Sequence, residues 1–225
     1  MEHDGEPLQQ VQAVRTALAQ LLLSAGTPML AGGSEIYRTQ YGNNNAYNLD
    51  TIANWLDWPV ATMQSALTDF TRNLTLFRRA HPCLRPVRFS TGIDHNANGL
   101  KDLTWYFDSG AEVRQDYFAN PDNHFLAYRI DGTEFADAAI SIYVGYNGWS
   151  GPITVTIPAP LAWNVWYIVA DTSSSAEPWG NTHPAGTSVA LMTPTYLVNG
   201  RSVVVLLERW SDLAKRCTRE HMSST

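Results

Sequence analysis

Glu35, Arg38, Asn43, Asn44, Asn45 and Tyr47 fall in one short stretch of the chain. A carboxylate, a guanidinium, three amides and a phenol supply many hydrogen-bond donors and acceptors at close spacing. Such a set suits recognition of a polar ligand. The alternative is an ordinary loop in which Asn and Gly serve turn geometry. The same chain has no phosphate-cradling loop, no Cys-x-x-Cys and no Ser-His-Asp order, so cofactor chemistry and nucleophilic catalysis have no signature. No cofactor is expected.

The flanking elements explain why the stretch is a loop. Val11, Val14, Leu18, Leu21 and Leu22 recur at helical spacing, and Ser24, Gly26 and Pro28 break that helix. Residues 27–31 are apolar without alternation, the pattern of a brief buried strand. Gly32 and Gly33 let the backbone turn or approach a neighbour closely. The long polar loop after such a strand is where α/β barrels keep their binding groups. A second helix starts near Thr62, with Met63, Leu67, Phe70, Leu74 and Phe77 as its apolar stripe. Arg78 and Arg79 lie in its last turn, where they complement the helix dipole, and His81-Pro82 ends it. His81 at such an end is a packing or capping residue.

From Pro86 onward the period changes. Runs at 103–107, 127–130, 140–146, 153–157, 166–169, 189–191 and 202–207 are short, β-rich and separated by Gly, Pro, Asn or Asp. They predict an antiparallel β-sandwich over 86–210, with Pro121, Pro152, Pro158 and Pro160 in its connections. The fold class is α+β: a sandwich preceded by helix-strand-loop-helix over 1–85, then a polar tail over 211–225. A brief helical extension at Leu213-Ala214 is expected within that tail.

A net charge of -6 leaves no electrostatic footprint for nucleic acid, and no basic helix or long apolar run suggests a membrane. The polar, acidic start is not a secretory signal, so the cytoplasm is the expected location. Cys83 and Cys217 are too few and too distant for a disulfide framework or a metal site. Eight Trp exceed what packing usually asks for; most are expected in the core, but aromatic-rich, charge-poor chains are common among sugar binders.

Longer motifs carry a resemblance. G-T-P-M-L-x-G-G-S-E-x-Y-R-T-Q-x-G-N-N-N-A-Y-N, followed by W-L-D-W, resembles isoamylase and the related glycogen-debranching enzymes of the α-amylase superfamily. F-R-R-A-H-P-C-L-R-P (77–86), D-L-T-W-Y (102–106), Y-V-G-Y-N-G-W-S (143–150) and W-Y-I-V-A-D-T (166–172) continue it over nearly the whole chain. The resemblance implies that 27–31 is the eighth strand of a (β/α)8 barrel. It implies that Glu35, Arg38, Asn43, Asn44, Asn45 and Tyr47 bind substrate, a branched α-glucan cut at its α-1,6 linkages. Ser34 departs from the family pattern, which has Asp before the Glu of this loop.

The family hydrolyses with two carboxylates, as retaining glycosidases do. These sit on the fourth and fifth barrel strands, upstream of anything in this sequence. Glu35, Asp50 and Asp57 lack that context, so no catalytic residue is assigned and the chain alone is expected to be inactive. The missing N-terminal barrel portion is its implied partner. Without barrel neighbours, residues 27–31 have unpaired backbone groups, and they are expected to be irregular, exposed or paired with another copy. Two other readings are a free-standing carbohydrate-binding module and a truncated remnant without function.

Two further constellations have the composition of a functional site. His3-Asp4 has the composition of the family's seventh-strand pair, but no strand precedes it, and a solvated terminus is the better reading. Asp94-His95-Asn96-Ala97-Asn98-Gly99 has the D-x-N-x-N-G spacing of a calcium loop, with Asp102 in the ninth position. Trp105 stands in the twelfth, where a bidentate Glu is needed. Turn formation explains the same residues, and no metal is assigned.

Overall fold

The computed structural model describes residues 7–63, 65–173, 181–184 and 186–211. His3-Asp4, Cys217 and the tail from residue 212, including Leu213-Ala214, lie outside the described residues, as does the side chain of Met63.

Three helices come first: α1 (Pro7–Leu23), α2 (Trp58–Met63) and α3 (Ser65–Ala80). Eight strands follow: β1 (Leu103–Tyr106), β2 (Phe125–Asp131), β3 (Ser141–Asn147), β4 (Ile153–Thr156), β5 (Asn164–Asp171), β6 (Val189–Ala190), β7 (Thr195–Val198) and β8 (Ser202–Trp210). Six form one sheet in the order β1-β2-β3-β8-β5-β6, and β4 pairs with β7 in a second, two-stranded sheet. All pairings are antiparallel.

The six-stranded sheet is buried on both faces. Alternate residues of β8 divide between two cores: Val203 and Val205 pack with α1 and α3, and Val204 and Leu206 pack under the β4-β7 ribbon. This explains why β8 reads as continuous apolar sequence and not as alternation. Leu18, Ala19, Leu22 and Leu23 of α1 and Leu67, Phe70 and Leu74 of α3 join the first core. Both edge strands are short. Beyond β1, Val113 donates to the Trp105 carbonyl at 2.8 Å and Glu112 bridges Tyr106; β6, on the other edge, has two residues.

The end of α1 is fastened by partners far along the chain. Arg78 donates to the carbonyls of Leu22, Ser24 and Gly26 at 2.7, 2.8 and 2.5 Å, and the Tyr128 hydroxyl donates to Leu23 at 2.8 Å. Arg78 is buried. It therefore serves the carbonyls of α1, not the dipole of its own helix, which is where its sequence position pointed.

Residues 27–31 form no strand. Four of these five residues are exposed, including Met29 at 86%. An isolated strand has no ladder to join, so water solvates its backbone instead.

Candidate functional site

The polar loop begins at Gly33, whose φ of 94° is left-handed. A Cβ there would stand 2.7 Å from Leu56 Cδ2 and 2.8 Å from Arg38 Cδ, so both the turn and the close approach require glycine. At Gly32 a Cβ would meet nothing. A short 3-10 turn, Ser34–Ile36, follows and buries Ile36.

Glu35 is folded back on this turn. Its Oε2 accepts the Gly33 N–H at 3.1 Å, and its carbonyl accepts the Thr68 hydroxyl of α3 at 3.1 Å. Arg38 lies alongside: its N–H donates to the Gly33 carbonyl at 2.9 Å and its Nη2 to Asn54 Oδ1 at 3.3 Å. The amide of Asn54 in turn donates to the carbonyls of Ala46 and Leu49, closing the loop on itself. Asn43 Oδ1 accepts the Asn45 N–H at 2.9 Å, an Asx turn that leaves Asn44 and Asn45 exposed at the tip. Tyr47 is 84% exposed.

The six sequence-predicted residues therefore divide into two groups. Glu35 and Arg38 meet at the base of the loop, tied through Gly33. Asn43, Asn44 and Asn45 form its tip, and Tyr47 stands in solvent. Asn54, the hub between base and tip, carries no motif; only the folded loop brings it against residues on both sides. Tyr37, at a left-handed φ of 63°, anchors the base by donating to Gln10 Oε1 of α1 at 2.9 Å.

Exposed apolar side chains flank the loop along the sequence. Met29, Ile52, Trp55 and Trp58 are all more than half exposed. Trp55 is oriented by a 3.1 Å hydrogen bond from its indole N–H to Asp50.

The D-x-N-x-N-G loop uses its polar atoms internally. Asp94 accepts the N–H groups of Asn96 and Gly99 at 3.2 and 2.9 Å, and these amides, Gly99 foremost, hold its carboxyl below the usual range. Asn96 and Asn98 turn their side-chain N–H groups to buried Asp131, at 3.0 and 2.9 Å. Asp102 grips Thr91, Gly92 and Leu103 through N–H groups at 2.7 Å each and lies 3.7 Å from His95 Nε2. Burial pushes its carboxyl up, but these bonds and the Thr91 hydroxyl outweigh that and hold it below the usual carboxylate range. His95, Asp102 and Glu134 bring one ligand atom each within 4.8 Å of one another, but Arg88 pairs with Glu134 and Thr91 supplies a hydroxyl to His95. The side chains of this loop thus build its turns through their own amides and hydroxyls, and Arg88 pairs with Glu134 beside it.

Comparison with known proteins bears on the family of this chain. Residues 102–207 match the family described as isoamylase, C-terminal. An isoamylase of Flavobacterium sp. is 46% identical over 200 residues, which cover 89% of this chain and 25% of that protein. The isoamylase of Pseudomonas amyloderamosa is 41% identical over 212 residues, 91% of this chain and 26% of that one. The chain is isoamylase-like. It spans about a quarter of the length of these relatives.

Solved structures bear on the fold of this isoamylase-like chain. Pullulanase from Bacillus acidopullulyticus matches with a TM-score of 0.66 at 21% identity, over 91% of this chain and 21% of that one. Pullulanase type I of Bacillus subtilis, solved with maltose, matches with a TM-score of 0.65 at 20% identity, over 91% of this chain and 24% of that one. At that identity the likeness is one of fold. It covers the helices as well as the β-sandwich.

His81 of the isoamylase-like chain packs, as its place at a helix end suggests. Its Nδ1 lies 2.6 Å from Asp137 Oδ1, and its ring leans on Phe77 with centroids 4.4 Å apart. Among the described residues no helix is long and apolar enough to cross a membrane.

Proposed function

We propose that this chain works as the C-terminal part of an α-1,6-debranching glycoside hydrolase acting on glycogen or amylopectin. Residues 1–85 are the last elements of a (β/α)8 barrel, 86–210 the sandwich that braces it, and 211–225 a tail. Glu35, Arg38, Asn43, Asn44, Asn45 and Tyr47 form one wall of a glucan cleft. The other walls, the nucleophile and the acid belong to the rest of the barrel.

One observation carries this reading: Met29, Ile52, Trp55 and Trp58, four large apolar side chains each more than half exposed, all fall in the segment that the isoamylase resemblance assigns to the barrel. Such side chains are expected to be covered when the rest of a barrel packs on them. The curated relatives supply the chemistry, since both are isoamylases and extend well beyond the matched segment. A cytoplasmic location is the accompanying reading.

The test is a chimera in which this chain replaces the matching quarter of the Flavobacterium isoamylase. Reducing ends are expected to be released from amylopectin by the chimera and not by the chain alone. Arg38→Ala in the chimera is expected to lower kcat/KM about tenfold, the loss of one charged hydrogen bond. A folded but inactive chimera, or Glu35-dependent hydrolysis by the chain alone, overturns the proposal.

A further inference from the structure

A second aromatic surface stands apart from the loop, in the turn between β3 and β4. The Trp149 ring stacks on His124, with centroids 4.4 Å apart and 18° between planes, yet the residue remains 48% exposed. Its indole N–H has no hydrogen-bond partner among the described residues.

The backbone beneath it is fixed on several sides. The Trp149 N–H donates to Asn147 Oδ1 at 2.8 Å, its carbonyl accepts Arg201 at 2.8 Å, and Gly148 donates to the His124 carbonyl at 2.7 Å. Asn147 Nδ2 also donates to the carbonyls of Gly151, Val198 and Asn199, each at 3.0 Å. A Cβ on Gly200 would fall 2.1 Å from the Ser150 carbonyl oxygen. The turn is therefore rigid, and it holds a large aromatic ring half out in water. That arrangement contributes little to the core but pre-pays the ordering of a binding surface.

Beside His124 opens a cavity of about 290 Å³, lined among others by Tyr117, Asn120, Asn123 and Tyr146. Asn120 Oδ1 accepts the Asp122 N–H at 3.0 Å, and Asn123 Nδ2 donates to the Tyr117 carbonyl at 2.6 Å. This fixes both amides and leaves Asn120 Nδ2 and Asn123 Oδ1 for a ligand. A fixed ring face next to one amide donor and one amide acceptor matches a pyranose, which presents an apolar C–H face and a rim of hydroxyls. A polyanion is disfavoured by the net charge of -6.

We propose that the Trp149–His124 platform and the adjoining Asn120–Asn123 cavity form a surface site for an α-glucan chain, distinct from residues 35–47. The choice of glucan among sugars rests on the function proposed above. The site would hold the polymer outside the cleft and raise its local concentration there.

The experiment is native electrophoresis of the chain through gels containing glycogen. Glycogen is expected to retard the parent chain. Trp149→Ala is expected to lower the apparent affinity on the order of tenfold, and Trp149→Phe, which keeps a ring face, to retain most of it. Asn123→Ala is expected to weaken retardation several-fold, while Arg79→Ala, at an exposed position of α3 outside both surfaces, leaves it unchanged. Thermal unfolding of each variant separates lost binding from lost fold. If Trp149→Ala unfolds, the Phe and Asn123→Ala variants decide alone. An unretarded parent, a folded Trp149→Ala retarded like the parent, or retardation lost only with Asn44→Ala overturns the proposal. The chimera's hydrolysis of a short branched oligosaccharide does not involve Trp149, so failure here leaves the function above standing, and an inactive chimera leaves this site standing.

Discussion

Arg78 donates a 2.7 Å hydrogen bond to the carbonyl of Leu22, at the end of a helix other than its own. With its bonds to Ser24 and Gly26 it joins α3 to the end of α1 and the start of the segment that follows. Arg78→Ala leaves the buried Leu22 carbonyl without this donor and the part-buried carbonyls of Ser24 and Gly26 to water, and is expected to cost about 1–3 kcal/mol. Arg79→Ala, at an exposed position, is expected to stay within about 0.5 kcal/mol of the parent. Urea unfolding of the two variants provides the comparison; equal losses would contradict the capping role.

Acid stability is expected to depend on Asp102 and Asp137. Both carboxyls are held below the usual range: burial pushes each up, and the backbone N–H bonds of Asp102 and the His81 and backbone bonds of Asp137 prevail. A folded pKa below the unfolded one means that the unfolded chain binds more protons in the window between them. The stabilisation is present above the unfolded value, about pH 4, and is lost as pH falls through the lower folded values. Asp102→Asn is expected to cost about 2 kcal/mol near neutral pH, because an amide cannot accept from all three N–H groups, and to flatten the acid limb. Urea midpoints across the acid range measure both effects. An unchanged acid slope would remove Asp102 from the account.

Glu208 sits fully buried on β8 and pairs with Arg129 of β2 across β3. Ser141 and the Leu161 N–H also donate to it, and the Arg129 guanidinium lies 5.1 Å from the Trp166 ring. Glu208→Ala strands a buried cation and is expected to cost about 3–5 kcal/mol, lowering Tm by about 10 °C. Arg129→Met combined with Glu208→Leu is expected to recover part of that loss. Calorimetry of single and double variants checks it; a double variant worse than the sum of the singles would argue against a desolvated pair.

Gly33→Ala places a Cβ against Leu56 and Arg38 at a left-handed φ. It is expected to destabilise the loop by about 1–2 kcal/mol. Gly32→Ala is expected to be neutral, since its Cβ would meet nothing. Limited proteolysis between residues 34 and 57 should accelerate in the first variant only. Global unfolding should barely change, because most of the loop lies outside both cores.

Much of this architecture was legible in the sequence. Helical spacing placed α1 and α3, and the Val-rich run at 202–207 placed β8. The sandwich class followed from the run of short strands. β7 escaped notice: Thr195–Val198 is four residues between Pro194 and Asn199, too short for a periodic signal. The division into six strands and two was also hidden, because periodicity marks a buried face without naming what covers it. The same gap concealed Arg78, whose helix was readable and whose acceptors, more than fifty residues away, were not. At the loop, residue types pointed to Glu35 and Arg38, while Asn54 acts through contacts that only folding creates.

The shortness of the sheet's edges governs how copies of this chain would clump. β6 offers two residues to an incoming strand, and β1 is already shielded by Glu112 and Val113. Growth of the six-stranded sheet by strand addition therefore has almost no template among the described residues, and the second sheet offers only four-residue strands. Association would run instead through the side chains of Met29, Ile52, Trp55 and Trp58. Concentrated solutions are expected to cluster into reversible, detergent-soluble assemblies, strengthened by sulfate, with no fibrils and no thioflavin signal.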